Sequence, residues 1–260
     1  MLTVKNLNYQ KMWQSLNFTL AKDKIYALLG LNGIGKTTLL NLLSGLLPPT
    51  SGEILFNGES IYQAKRNYLS QVGYCLQDSE NLFFKQTVEE ELNYHRVKDV
   101  KSVIEKLDLA QNLTQSPFEL SGGQQKKLEL AIMLLKDPQI LFCDEITAGL
   151  DAENLELVMN SLLNYRPNHI VVLVTHNLSE ALNYADDFLF LHPLGIDLKS
   201  RSEVLANPEI FKSFGLINPP NLEVCQALID RSLMPAGNYY QTSDEIAHFL
   251  AQSFKSTRSD

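Results

Sequence analysis

The segment Gly30-Leu31-Asn32-Gly33-Ile34-Gly35-Lys36-Thr37 sets three glycines, a lysine and a hydroxyl into one short stretch, with Thr38 following in the same phosphate-binding run. Its fixed positions match G-x-x-x-x-G-K-[ST]. Glycines let backbone N–H groups converge on phosphate oxygens, and a helix opening at Lys36 would add its positive end. The Lys36 ammonium can then reach the β- and γ-phosphates, while the Thr37 hydroxyl offers a hard oxygen to the Mg²⁺ that bridges them. A second group lies far along the chain, where Gln139-Ile140-Leu141-Phe142-Cys143 runs into Asp144-Glu145. Carboxylates at the end of a buried strand are costly unless something cationic receives them. Metal coordination by Asp144 meets that need, and Glu145 is placed to polarise a water in line with the γ-phosphate as a general base.

These groups require elements to carry them. Ile25 to Leu29 is a compact apolar run of the buried-strand type ending at Gly30, and from Thr37 the apolar spacing of Leu39, Leu40, Leu42, Leu43 and Leu46 turns helical until Pro48-Pro49. Two short strands are expected around Leu2 to Leu7 and Leu16 to Leu20, and a hairpin around Ile54 to Phe56. Residues from about 80 to 136 are mainly helical in pattern and more polar, which predicts a helical subdomain inserted between sheet elements. Strand signals return at Ile140 to Cys143 and Ile170 to Val174, each followed by a helical pattern. Strand–helix alternation of this kind predicts an α/β core with a parallel sheet. Beyond 195 the pattern changes to three short helices, Glu203 to Phe214, Asn221 to Leu233 and Ser243 to Phe254.

The 260 residues carry 22 Lys plus Arg against 30 Asp plus Glu, a formal charge of −8. A chain of that sign lacks the basic face that nucleic-acid phosphates demand, so no nucleic-acid partner is expected. No apolar run approaches the ~18 residues that span a bilayer, and the start lacks a signal-peptide core. Cys75, Cys143 and Cys225 are too widely spaced for a disulfide framework or a C-x-x-C site.

Between the two phosphate-handling groups lies Leu120-Ser121-Gly122-Gly123-Gln124-Gln125, which resembles the signature motif of ATP-binding-cassette (ABC) ATPases. Other landmarks of that family follow in order. Gln77 resembles the glutamine-loop residue, Thr147-Ala148-Gly149-Leu150-Asp151 resembles the loop that ends in aspartate, and His176 resembles the switch histidine. The resemblance covers about residues 1 to 195. It implies a RecA-like phosphate-loop core with an antiparallel β subdomain and an inserted helical subdomain, followed over 196–260 by a small helical extension. It also implies ATP and Mg²⁺ as ligands, with Gln77 a catalytic group and, beside Thr37 and Asp144, a metal ligand. Ser121, Gly122, Gly123 and Gln124 would cap the γ-phosphate held by an opposite subunit, with Asp151 across the seam, so the active site would be composite. His176 would hydrogen-bond the γ-phosphate. The pattern departs at Ile146, where a proline is usual. Lys126-Lys127-Leu128 keeps roughly the usual charge after the signature. An aromatic from the first hairpin, Tyr9 or Trp13, would stack on adenine, with Tyr9 the assigned residue.

Gln77 to Phe84, the run Gln86-Thr87-Val88-Glu89-Glu90-Glu91-Leu92 and the tail from Glu203 to Pro220 resemble the ATPases of energy-coupling-factor (ECF) transporters, which import vitamins and transition-metal ions. On that resemblance the chain is an ATPase subunit docked at the cytoplasmic face of the membrane. Its partners would be a second ABC ATPase, a copy or a paralogue, and transmembrane subunits. Phe83 and Phe84 are the candidate apolar contacts for a coupling helix, and Glu89-Glu90-Glu91 is expected to be a solvated helix start. Other cassette classes remain as alternatives, among them exporters and cytosolic scaffolds such as those of iron–sulfur cluster building. A chromosome-acting ATPase would need a long coiled coil between Lys36 and Ser121, where there is no room, and a translation factor normally carries two cassettes.

Overall fold

The computed structural model describes residues 1–75, 82–94, 99–207, 209–235, 239–240 and 242–256. The chain opens with β1 (Leu2–Tyr9), β2 (Trp13–Leu20), β3 (Lys24–Leu29), α1 (Lys36–Leu43), β4 (Ser51–Phe56), β5 (Glu59–Ser60), α2 (Lys65–Leu69) and β6 (Val72–Cys75). Next come α3 (Val88–Tyr94), α4 (Val100–Lys106) and α5 (Gly122–Lys136), then β7 (Ile140–Asp144), α6 (Ala152–Tyr165), β8 (Ile170–Val174) and α7 (Leu178–Tyr184). The last part holds β9 (Asp187–His192), β10 (Gly195–Ser200), α8 (Arg201–Ala206), α9 (Ile210–Ser213), α10 (Pro220–Asp230) and α11 (Ser243–Ser256).

The strands form two sheets, one of order β2-β1-β4-β5 and one of order β10-β9-β3-β8-β7-β6. In the larger sheet β6, β7, β8, β3 and β9 run parallel, and β10 closes the edge antiparallel to β9. The parallel strands are apolar on both faces, as expected where each face is covered. Alternation divides their side chains cleanly. Ala27, Leu29, Leu141, Cys143, Val171 and Leu173 face the core shared with α5, α6 and α7. Tyr26, Leu28, Ile140, Phe142, Val172 and Val174 face the core shared with α1 and the small sheet. Of the apolar stripe seen in the sequence, Leu39, Leu40, Leu42 and Leu43 are fully buried in that second core, while Leu46 lies past the end of α1 and is exposed.

Register does the work of bringing distant residues together. Leu28 pairs with Val174, and Asp144 pairs with Val174 from the other side. The chain therefore leaves β3, β7 and β8 at one edge of the sheet, delivering Gly30, Glu145 and Thr175 side by side. In open parallel sheets this carboxyl-end edge is where ligands bind.

Two features differ from what the sequence suggested. The β9–β10 hairpin was not expected; β10 begins at Gly195, so a division of the chain at 195/196 falls at the first residue of a strand of the main sheet. The helix expected over 203–214 is two helices, α8 and α9, with Asn207 capping the first. The tail also packs firmly: Phe211 is fully buried, its ring edge-on to Phe188 and Phe190, and Phe214 stacks on Phe190 at 4.5 Å. No described helix is long and apolar enough to cross a membrane.

Candidate active site

The phosphate loop is built where β3 ends. Gly35, at φ +102°, is the residue before α1, and a Cβ there would sit 2.4 Å from Met12 and 2.5 Å from the Trp13 ring. Only glycine lets the loop lie this close to the hairpin. α1 opens with no side-chain cap and no acidic residue in its first turn, so its leading N–H groups face the loop without an internal anion. The Lys36 Nζ curls back along the loop, donating to the Gly30 carbonyl at 2.9 Å and the Leu31 carbonyl at 3.2 Å. Burial pulls the pKa of this ammonium below its ordinary value, opposed by the nearby Glu145 and Asp144 carboxylates.

Trp13 is 2% exposed and its Nε1 donates to the Ile34 carbonyl at 3.1 Å. The ring is spent underneath the phosphate loop. That corrects the alternative assignment of Trp13 as an adenine platform, and leaves half-buried Tyr9, its cross-strand neighbour, as the remaining candidate. The ring's support of the loop has a measurable size. Trp13→Ala is expected to cost about 3–5 kcal/mol of folding stability, the usual range for deleting a buried large aromatic. Urea denaturation checks this; a loss well under 1 kcal/mol would show that the loop does not lean on the ring.

Asp144 ends β7, and its Oδ2 accepts from the Thr37 hydroxyl at 2.8 Å. Burial raises the pKa of this carboxyl and the Thr37 hydrogen bond opposes the rise. A hydroxyl and a carboxylate side by side are the hard oxygen pair that suits Mg²⁺, which keeps water and phosphate oxygens for its other positions. Among the described residues no cluster of three or more His, Cys, Asp or Glu could hold a metal by itself. The pair fits a metal brought in with a phosphate ligand.

Glu145 follows in the left-handed region at φ +54° and its N–H donates to the Val174 carbonyl at 3.0 Å. Its Oε1 lies 2.8 Å from Nε2 of His176, which the chain delivers just past β8. Beyond Glu145 the turn is held by further groups. Thr147 donates its hydroxyl to the buried Glu180 carboxylate at 2.8 Å. Lys126 donates to the Glu145 carbonyl at 3.1 Å and also reaches the Ala148 carbonyl. Glu180 was not singled out from the sequence, and Lys126 entered it only as part of the charge that follows the signature; neither signal says what the side chain touches until the fold shows it.

Ser121 is the N-cap of α5 in a reciprocal capping box. Its hydroxyl accepts from the Gln124 N–H at 3.3 Å, and the Gln124 side chain accepts from the Ser121 N–H at 2.9 Å. Gly122 has open space where a Cβ would be, and at Gly123 a Cβ would approach Leu150 at 3.2 Å. Asp151 caps α6, accepting from the Asn154 N–H at 2.8 Å. Gly30, Leu31, Asn32, Gly33, Ile34, Thr37, Asp144, Glu145 and His176 thus gather at one edge of the large sheet. Ser121, Gly122, Gly123, Gln124 and Asp151 form a second group at the starts of α5 and α6. Gln77 lies outside the described residues.

The helical subdomain carries its own exposed feature. Phe84 is 56% exposed, with its ring edge-on to Tyr94 at 4.9 Å and the Lys85 ammonium 5.0 Å and 4.2 Å from the two ring centres. Phe83, by contrast, is buried in the core, which corrects its reading as a surface contact. Glu91 departs too: it is fully buried, and its carboxylate accepts the N–H groups of Phe84 and Lys85, each at 2.9 Å. It holds the Phe84 patch in place rather than facing water.

Comparisons with known proteins place the chain among its relatives. The family model for the ABC transporter matches residues 13–148. The chain is 34% identical over 245 residues to the energy-coupling factor transporter ATP-binding protein EcfA2 of Ligilactobacillus salivarius (strain UCC118), covering 86% of this chain and 85% of that relative. It is also 34% identical over 261 residues to the protein of the same name from Lactobacillus delbrueckii subsp. bulgaricus, covering 92% and 90%. Among solved structures, cbiO1 from Clostridium perfringens, part of the ABC transporter complex cbiONQ, superposes with a TM-score of 0.72 at 24% identity, covering 88% of this chain and 98% of that one. That likeness speaks to the fold.

Proposed function

The chain belongs to the ABC transporter family of ATP-binding subunits, and from that premise we propose that it powers an ECF-type importer of a vitamin or transition-metal ion. The observation that carries this reading is the length of the match to the energy-coupling factor relatives, which runs through the C-terminal tail as well as the motifs. ATP would lie along Gly30 to Thr38 with adenine against Tyr9. Mg²⁺, when bound between the phosphates, Thr37 and Asp144, would neutralise the charge that develops on them, and Gln77 would border the same metal. Lys36 would swing from the carbonyls of Gly30 and Leu31 to the β- and γ-phosphates.

Glu145 would accept a proton from the attacking water, and His176, hydrogen-bonded to Glu145, would hold the γ-phosphate oxygen. Such positioning is where phosphoryl transfer finds most of its acceleration. Ser121, Gly122, Gly123 and Gln124 would close on the γ-phosphate of a second ATPase subunit, with Asp151 at the seam. Binding energy would then close the dimer, and hydrolysis would release it. The exposed Phe84–Tyr94–Lys85 patch is the surface on which a transmembrane subunit would dock, placing the chain peripherally at the membrane. The division into a cassette, first drawn at 1–195, and a C-terminal extension, first drawn at 196–260, belongs to the same proposal, with β10 counted with the sheet it closes.

Affinity purification of the full chain from membranes, with mass spectrometry of what accompanies it, tests this reading. The expected companions are a second ATPase chain or a further copy, and a transmembrane scaffold subunit, with Phe84→Asp reducing their recovery. Capture of a permease with its own substrate-binding loops and no such scaffold would overturn the ECF assignment.

A further inference from the structure

The turn from Glu145 to Leu150 leaves regular backbone at two positive-φ residues, Glu145 and Gly149. Glu145 sits at φ +54°, a conformation that a side chain with a Cβ adopts at a cost of about 1 kcal/mol or more. Inside the turn, Ala148 N–H donates to the Glu145 carbonyl at 3.0 Å and Leu150 N–H to the Thr147 carbonyl at 3.2 Å. No proline fixes φ at the next position, which is Ile146. From one side Glu180 holds Thr147. From the other, one ammonium joins the carbonyls at both ends of the turn's first four residues: Lys126 bonds Glu145 and Ala148. Burial lowers the Lys126 pKa, while Glu129 and Glu145 favour its charged form. A partly desolvated cation between two converging carbonyl dipoles is a strong, directional tie.

We propose that Lys126 is a positioning residue for hydrolysis, holding the Glu145 backbone so that its carboxylate stays against His176 and coupling that pair to α5. Lys126 lies five residues beyond Ser121, about 7 Å along the same helix. In the closed dimer of the proposed function, on which this coupling rests, the Ser121 end of α5 meets the nucleotide of the other subunit. A shift of α5 there moves the ammonium that sets Glu145 here. Each site would then sense whether the opposite one is engaged, through one rigid helix and one side chain.

The test compares Lys126→Met with Lys126→Arg in the full chain recovered with its membrane partners. The methionine variant is expected to lose about 10- to 100-fold in kcat, the scale for sub-ångström to ångström misplacement of a reacting group, with KM for ATP changed less than about twofold. The arginine variant, which keeps the charge and donors, should recover most of that loss. A methionine variant with parental kcat, a KM that rises as kcat falls, or an arginine variant no better than the methionine overturns the proposal. Should Lys126→Met fail to fold by thermal melting, Lys126→Gln takes its place with the same readouts. Glu145→Gln run in parallel separates the two readings: parental turnover there removes the general base itself, whereas its loss beside an unaffected Lys126→Met removes only the positioning role.

Discussion

Glu145→Gln is expected to lower kcat by about 100- to 10,000-fold while leaving ATP affinity within a few-fold of the parent. The substitution is nearly isosteric, so the turn, the Val174 hydrogen bond to the Glu145 N–H and the left-handed backbone remain. What goes is the proton acceptor. The amide oxygen would still lie within reach of His176, now 2.8 Å from Glu145 Oε1, so the γ-phosphate contact proposed for the histidine would not be withdrawn. Because the proposed phosphate contact of Lys36 and the proposed metal ligands Thr37 and Asp144 are separate from this carboxylate, nucleotide would be held but not cleaved. In a dimer closed by ATP, that combination accumulates the closed form, which size exclusion with ATP reads directly. Turnover at the parental rate would mean that some other group takes the proton.

Lys36→Ala should act on the opposite quantity. The ammonium is 7% exposed and already desolvated, tied to the Gly30 and Leu31 carbonyls. Little further desolvation opposes its transfer to phosphate, and its charge is delivered into a pocket where the field is weakly screened. Removing it is expected to weaken nucleotide binding by about 2–4 kcal/mol, roughly 30- to 700-fold in Kd. A fluorescent-nucleotide titration measures it, and an unchanged Kd would dissolve the phosphate-loop reading. The two variants therefore part cleanly: one binds without turning over, the other fails before binding.

The difference between what could be read in advance and what could not follows the range of the forces involved. The phosphate loop needs contiguous glycines, lysine and threonine, and Asp144-Glu145 sits at the end of an unbroken apolar strand; both are local patterns. The side-by-side placement of Glu145 and His176 was implied only by family resemblance, because it depends on β7 and β8 pairing in register. Trp13 stood as an alternative adenine platform because its fate depends on where the first hairpin lands, and it lands under Ile34. Glu91 looked like one of three solvated acids, yet its carboxylate finds two backbone N–H groups from a segment folded back over α3. The β9–β10 hairpin was missed because Asp187 to His192 reads as one more apolar run, with no helical pattern leading into the returning strand. Lys126 carried only the charge that follows the signature, with nothing to say which carbonyls it would reach. In each case the missing information is long-range pairing, which residue type alone does not encode.

The left-handed backbone at Glu145 bears on how the protein's stability is distributed. A glycine there would relieve the torsional cost, and asparagine or aspartate would tolerate it better than glutamate does. The fold thus retains, at the carboxyl-end edge of its main sheet, a residue whose backbone ill suits its conformation. Sites that stray from local preference in this way are where chemistry and folding make opposed demands on one residue. A search for more stable versions of this chain would find Glu145 early, and each gain made there would be taken from turnover.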